Sequence, residues 1–517
     1  MQKNPLPLLF VKYKPHFEMG VVQRQGIKRS ILSYAGVGLG VLSTLFVYPL
    51  DMDHYGLSQF LYSSAEFLWP FMALGIPSLA VRYFPYFRDD GDKHHGFLAL
   101  LLAGVLASLL LLAVFSWFFH PLVFRLIGWT GLNSTLFREN APFVFALSAL
   151  MMLSSLLEVY TSNFNRIVIP SIFNNLLPKI GLPLLILGTY YGFLSADAMR
   201  WGVVGIAALG FIGLAFYLRR LGEWHIRLHL DFLKTSPLRE MATFAFYNII
   251  AGIGTLLAFR LGTIMVASLK NTTQGGIFSI ANFISTSIEI PFVALAAITG
   301  PLFSSKIKEG EWGEVAELFQ RGSLTMLISG GYLFLGIVVC LDDLFQLTPN
   351  YEQLKQGEQV VWYLGLAKVI SMTIALNTYV LGFSRYYRLT LISMLILSIL
   401  NISLNFTLIP WLGMNGAAIS TLVSVLLYNV LNSLFTWFTF KIQPLSKQSG
   451  YVFLFSLPIL VSYRWLPDTG HPLINILVKG SFVTLFFIGP VWYFKVSPEL
   501  NAMLQQVWRS VFRRATP

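Results

Sequence analysis

Apolar runs of about twenty residues or more, parted by short polar breaks, fill this chain and predict about fourteen membrane-spanning helices. Six fall in the first part, over 30–50, 55–81, 96–119, 140–162, 171–191 and 200–218. Six more follow over 241–269, 276–301, 322–341, 359–383, 389–410 and 412–440. A last pair, 451–466 and 473–494, has no counterpart in the first half. The pattern predicts an all-α integral membrane fold with two six-helix lobes around a central cavity and two C-terminal helices. The segments that follow are a basic N-terminus (1–29), an N-lobe (30–220), a linker (221–240), a C-lobe (241–440), the extra pair (451–494) and an amphipathic tail (495–517).

Internal similarity supports the two lobes. Pro70-Phe71-Met72-Ala73-Leu74 recurs as Pro291-Phe292-Val293-Ala294-Leu295, and at the same offset Ser58 matches Ser279 and Ser64 matches Ser285. Upstream, Ala35-Gly36-Val37-Gly38 answers Ala251-Gly252-Ile253-Gly254. Downstream, Gly202-Val203-Val204-Gly205 answers Gly413-Met414-Asn415-Gly416. Small-residue patterns recur by chance in any apolar chain, so the weight lies in their shared order. An even number of spans per copy leaves both copies in one orientation, with their axis along the membrane normal.

Composition agrees with the pattern. Of 517 residues, 55% are hydrophobic and 12% charged, and the mean hydropathy is +0.66, whereas soluble domains carry roughly a quarter charged residues. The first apolar run starts near Ser30 behind a polar stretch, so no cleavable signal peptide is expected. A single cysteine, Cys340, excludes an internal disulfide. Lysines and arginines concentrate in segments that become cytoplasmic if the N-terminus lies inside, including Lys28, Arg29, Arg219, Arg220, Arg239, Arg513 and Arg514. Both termini are therefore expected in the cytoplasm. The net charge of +12 is explained by basic loops against an anionic leaflet, without nucleic acid. The tail from Glu499 to Arg514 reads as an interfacial helix.

The expected external loops, chiefly 120–139 and 342–358, are too short to fold on their own. No Gly-rich phosphate loop and no paired Cys/His metal spacing is present, so neither a built-in ATPase nor a metal or other cofactor is expected. The remaining candidates are ionisable groups at membrane depth, where charge is costly and faces a cavity or a partner. Arg260 and Lys368 each lie about nine residues from the outer end of a helix, or roughly 13 Å deep at ~1.5 Å per residue. Two fixed cations at one depth could hold a diphosphate; the plainer reading is that each snorkels or pairs with a carboxylate. Glu66 and Glu289 lie near mid-depth beside Pro70 and Pro291, which are expected to kink their helices. They could couple an ion or neutralise those cations. Glu158 and Lys179 could form a comparable pair. Arg82 sits near a cytoplasmic helix end, where holding an anionic headgroup competes with plain topology, and Lys479 is expected to snorkel. Asparagines such as Asn401 and Asn405 suit helix–helix hydrogen bonds, and Asn282 and Asn377 are candidate sugar contacts.

The runs Gly75-Ile76-Pro77-Ser78-Leu79-Ala80-Val81-Arg82-Tyr83-Phe84-Pro85, Thr263-Ile264-Met265, Ile288-Glu289-Ile290-Pro291 and Leu366-Ala367-Lys368 resemble bacterial polysaccharide flippases, the oligosaccharide-lipid branch of the multidrug/oligosaccharidyl-lipid/polysaccharide exporters. The resemblance spans the chain, with diffuse motifs. It implies movement of a polyprenyl-diphosphate-linked oligosaccharide (an O-antigen, capsule or exopolysaccharide unit) from the cytoplasmic to the outer leaflet of the bacterial inner membrane by alternating access. It also implies Arg260 and Lys368 as diphosphate contacts. H+ or Na+ is a candidate coupling ion, and polysaccharide polymerase machinery a candidate partner beside membrane lipids. Gly262 and Ser371 stand where acidic residues are expected in that family, which puts ion coupling by those groups in doubt. Two alternatives remain. A multidrug extruder of the same fold would want more carboxylates than cations. A membrane glycosyltransferase or polymerase would use Asp51-Met52-Asp53-His54, a stretch that otherwise reads as a polar turn. The expected class is a transporter, not an enzyme.

Overall fold

A computed structural model of the chain describes residues 19–89, 93–226, 237–245, 261–498 and 501. Arg260, the second glycine pattern at 251–254, half of the linker and most of the amphipathic tail lie outside the described residues. Those described form helices and turns, with no strand among them.

Helix α1 (Met19–Leu42) runs on through a widened turn at Ser43–Val47 and a tight turn at Tyr48–Leu50. Asp51 then caps α2 (Met52–Ala73) by accepting from the His54 amide. The chain continues with α3 (Ile76–Arg82), α4 (Phe97–Trp129), α5 (Ser134–Ser162), α6 (Val168–Tyr190) and α7 (Ala196–Arg220). The second half gives α8 (Leu261–Leu269), α9 (Thr272–Thr286), α10 (Ile290–Glu309), α11 (Trp312–Gln346), α12 (Glu358–Ile374) and α13 (Asn377–Gly382). It closes with α14 (Tyr387–Leu412), α15 (Met414–Phe440), α16 (Lys447–Ser462) and α17 (Pro472–Val483), the last extended by further helical turns to Tyr493. Asn133, Ser195 and Asn271 cap α5, α7 and α9 as Asp51 caps α2.

Among the described residues ten helices are long and apolar enough to cross a membrane, or eleven if the bent α2–α3 pair is one span. The fourteen expected are not all met among the described residues. Helices α12 and α16, with 17 and 16 residues, are too short to count among these, and the expected 241–269 span is only partly described. Two local expectations change. The loop expected over 120–139 is mostly helix, because α4 extends through Pro121 to Trp129 and α5 begins at Ser134. The bend in the second span falls not at Pro70, which stays inside α2, but at Leu74–Gly75. Both residues there adopt positive φ, 46° and 71°, and the axis turns by 61°. A helix absorbs one missing N–H more readily than two left-handed residues in succession.

Three buried clusters hold the bundle. One joins the halves around Tyr55, Leu61, Met265, Ile277 and Ala417. Another fills the first half around Leu98, Met152 and Leu214. A third packs the C-terminal pair onto α11 through Val338, Val452 and Phe487. Outside, α4 presents Leu110, Leu111, Trp117 and Phe118 largely exposed, which suits contact with acyl chains.

That last docking carries a buried ion pair. Lys479 on α17 does not snorkel: its Nζ lies 2.5 Å from Oδ2 of Asp343 on α11, a residue 2% exposed. Asn475 donates to the other Asp343 oxygen at 3.0 Å. A carboxylate facing inward from α11 is cheaper to satisfy than a lysine stem is to stretch to the surface.

Candidate functional site

Helices α2 and α9, which carry the matched serines Ser58/Ser279 and Ser64/Ser285, pack against each other at their starting ends, and the second Pro-Phe-x-Ala-Leu string follows in α10. Gly56 and Gly276 make this contact possible. A Cβ on Gly56 would overlap the Thr272 carbonyl, and one on Gly276 would stand 2.9 Å from the Met52 oxygen. Nearby the Thr273 hydroxyl donates to Asp53, the Asn133 amide to the Ser268 carbonyl at 3.0 Å, and Asn350 Nδ2 to the Pro49 carbonyl at 3.3 Å. The halves are thus sealed at the end that cation bias predicts to be external. At the opposite end the Arg82 guanidinium lies 4.0 Å from the centre of the Phe244 ring. The matching serines Ser58, Ser64, Ser279 and Ser285 are all buried. The downstream glycine match is looser: Gly202 lies inside α7, whereas Gly413 precedes α15 with positive φ.

Behind the seal, a cavity of about 590 Å³ lies between α1, α2, α5, α6 and α7 of one half and α8 and α9 of the other. One stripe of α2 faces it: Tyr55, Gln59, Tyr62, Glu66 and Trp69, spaced four and three residues apart and so on one helix face. That spacing was legible in the sequence as a polar-aromatic stripe, yet only Glu66 stood out as a candidate. Tyr48 stacks on Tyr55 with ring centres 4.2 Å apart. From the other half Asn282, Phe283 and Thr286 face the same space. Lys179 on α6 and Glu66 are the cation and the carboxylate among the described residues lining it.

The predicted residues divide among separate places. Glu66, Lys179 and Asn282 meet at the cavity. Glu158 does not pair with Lys179; its carboxylate accepts from Asn174 Nδ2 at 2.5 Å instead. Lys368 and Glu289 pair at 3.0 Å, as the plainer reading of their charges expected. The pair sits beside a void of about 30 Å³ that Asn282 also borders. Glu289 closes a tight turn, Ser287–Glu289, and stands at the start of α10, where the helix dipole favours an anion. Asn377 is buried apart, accepting from Thr436 at 2.8 Å beside a polar pocket of about 160 Å³. Arg82 borders a shallow pocket with Arg239, away from the cavity. Asn405 donates to Asn401 at 2.9 Å within α14 itself, while the contact between helices that was expected runs from Asn401 Nδ2 to the Thr421 hydroxyl on α15 at 3.5 Å. The Asp51–His54 segment is a helix cap and a contact between the halves. Among the described residues no cluster of His, Cys, Asp and Glu could hold a metal.

The all-helical bundle with a cavity between its halves shares its fold with solved membrane transporters. The structure superposes on "Lipid II flippase MurJ, inward closed conformation" with a TM-score of 0.65 and 16% identity, covering 91% of this chain and all of that one. An inward-facing multidrug resistance MATE family transporter of the MOP superfamily follows at 0.57 and 12%, covering 78% and 94%. In sequence, the "Probable flippase AglR" of Haloferax volcanii is 24% identical over 408 residues, 76% of this chain and 79% of that protein. No family model matches.

Proposed function

We propose that this protein is a flippase that carries a polyprenyl-diphosphate-linked oligosaccharide from the cytoplasmic to the outer leaflet by alternating access. The observation that carries this reading is the roughly 590 Å³ polar cavity between the halves, bearing an ammonium and an amide- and aromatic-rich wall, with one end sealed. A charged, hydrated headgroup cannot cross ~30 Å of hydrocarbon unaided. A cleft of this kind shelters the headgroup while the lipid tail stays in the bilayer, and no covalent bond changes. The sequence relative named as a flippase and the fold shared with the lipid II flippase support the same reading. The setting consistent with it is a cytoplasmic membrane with both termini inside and an ion gradient, H+ or Na+, as driving force; a polymerase is a natural downstream partner.

The test is reconstitution into vesicles with a fluorescent polyprenyl-diphosphate oligosaccharide, scoring leaflet position and chemical integrity separately. Translocation of unchanged glycolipid above the rate in empty vesicles is expected. A rate equal to that of empty vesicles would refute the assignment, and a lengthened or cleaved glycan would favour a transferase. One observation favours the second reading, an extruder: the Glu66 carboxylate faces the cavity and suits a cationic drug. Efflux of a cationic dye, with no glycolipid movement, would establish it.

A further inference from the structure

Lys368 was the cation with the stronger motif, but in this conformation it is occupied. Glu289 holds it at 3.0 Å, and the adjoining void of about 30 Å³ has room for roughly one water molecule. A diphosphate does not fit there. Lys179 is placed differently. It is half-buried in the wall of the large cavity, and among the described residues it has neither an ion-pair nor a hydrogen-bond partner. The carboxylate that could have neutralised it, Glu158, is taken by Asn174. Asn174 and Asn175 line the cavity beside it. The position facing it on α1 is Gly36, where a Cβ would stand 3.5 Å from the Lys179 Nζ and 3.6 Å from its Cδ. A Cβ there would be in ordinary contact with the lysine's end, so a side chain longer than alanine would fill the space beside the ammonium. An ammonium held without a carboxylate in contact with it costs free energy that an arriving anion recovers.

We propose that Lys179, with the amides of Asn174 and Asn175, is the first phosphate contact of the substrate, and that Lys368 takes part only after Glu289 has released it. This rests on the flippase reading for the identity of the substrate, but not for the chemistry of the site, which is that of a diphosphate. Asn282 borders both spaces and lies on the path between the two cations.

Farnesyl diphosphate is the probe, with farnesol as the neutral control, bound to the purified full chain. Lys179→Met is expected to weaken farnesyl diphosphate about tenfold or more while leaving farnesol unchanged, the loss of one charge-assisted contact. Lys179→Arg is expected to stay within about threefold, and Lys368→Met within about twofold. Gly36→Leu, which fills the space beside the ammonium but keeps the lysine, is expected to weaken the diphosphate as well; it serves if Lys179→Met fails to fold. Unchanged binding in the folded Lys179 or Gly36 variant, or a loss at Lys368→Met as large as at Lys179→Met, overturns the inference. Wild-type protein that binds the probe through Lys179 yet moves no glycolipid sinks the flippase reading and leaves this site standing.

Discussion

Replacing Gly56 by alanine tests whether the sealed end is a gate. The new methyl would sit 2.6 Å from the Thr272 carbonyl carbon, where ordinary contact begins at 3.4 Å, so α2 and α9 must part by about 0.8 Å at least. The obstacle is backbone, so no rotamer change relieves it. Forcing a methyl into a close-packed contact costs about 1–3 kcal/mol. Borne by the sealed conformation alone, that cost shifts the equilibrium toward unsealed states about 5- to 150-fold. Gly276→Ala meets its nearest atom at 2.9 Å and should shift it less. The assay uses Ser279→Cys, at a buried cavity-lining position, in a Cys340→Ser background, labelled by an impermeant maleimide from the side carrying Gly56. Labelling should quicken in the order wild type, Gly276→Ala, Gly56→Ala. Equal labelling of all three, in protein of unchanged thermal stability, would mean that the glycine crossing is not the seal.

Two further outcomes follow from the same contacts. Lys479→Met leaves Asp343 charged and buried, and should cost about 3–5 kcal/mol of stability, read as a lower unfolding temperature; Asp343→Asn with Lys479→Met should recover much of it, and an unshifted single variant would remove the pair from the account of how α17 docks. Replacing Asp51 and Asp53 by Asn retains a capping side chain at α2 and should leave glycolipid movement within about twofold; complete loss would revive the transferase.

Several features were legible in the sequence because they depend on local pattern. Spans were visible because ~20 apolar residues are what hydrocarbon requires, and the duplicated six-helix pattern made a transporter the expected class. The matched serines Ser58 and Ser279, at the same offset as the paired strings, marked the two helices that meet across the molecule. The neutralising partner of Lys368 was among the options, since Glu289 was read as able to neutralise either intramembrane cation. What the sequence did not contain was any sign of which charge would go without a partner. Glu158 and Lys179 are well placed for each other along the chain, but the approach of Asn174 decides otherwise. Likewise Lys479 looks like a snorkelling lysine until α17 packs on α11 and sets it against Asp343, 136 positions away. Hydropathy is a property of each residue and its near neighbours, so the chain alone determined a helical membrane protein with two related halves. Charge compensation and cavity shape depend on helices far apart in sequence, and only their packing decided which cation faces open space.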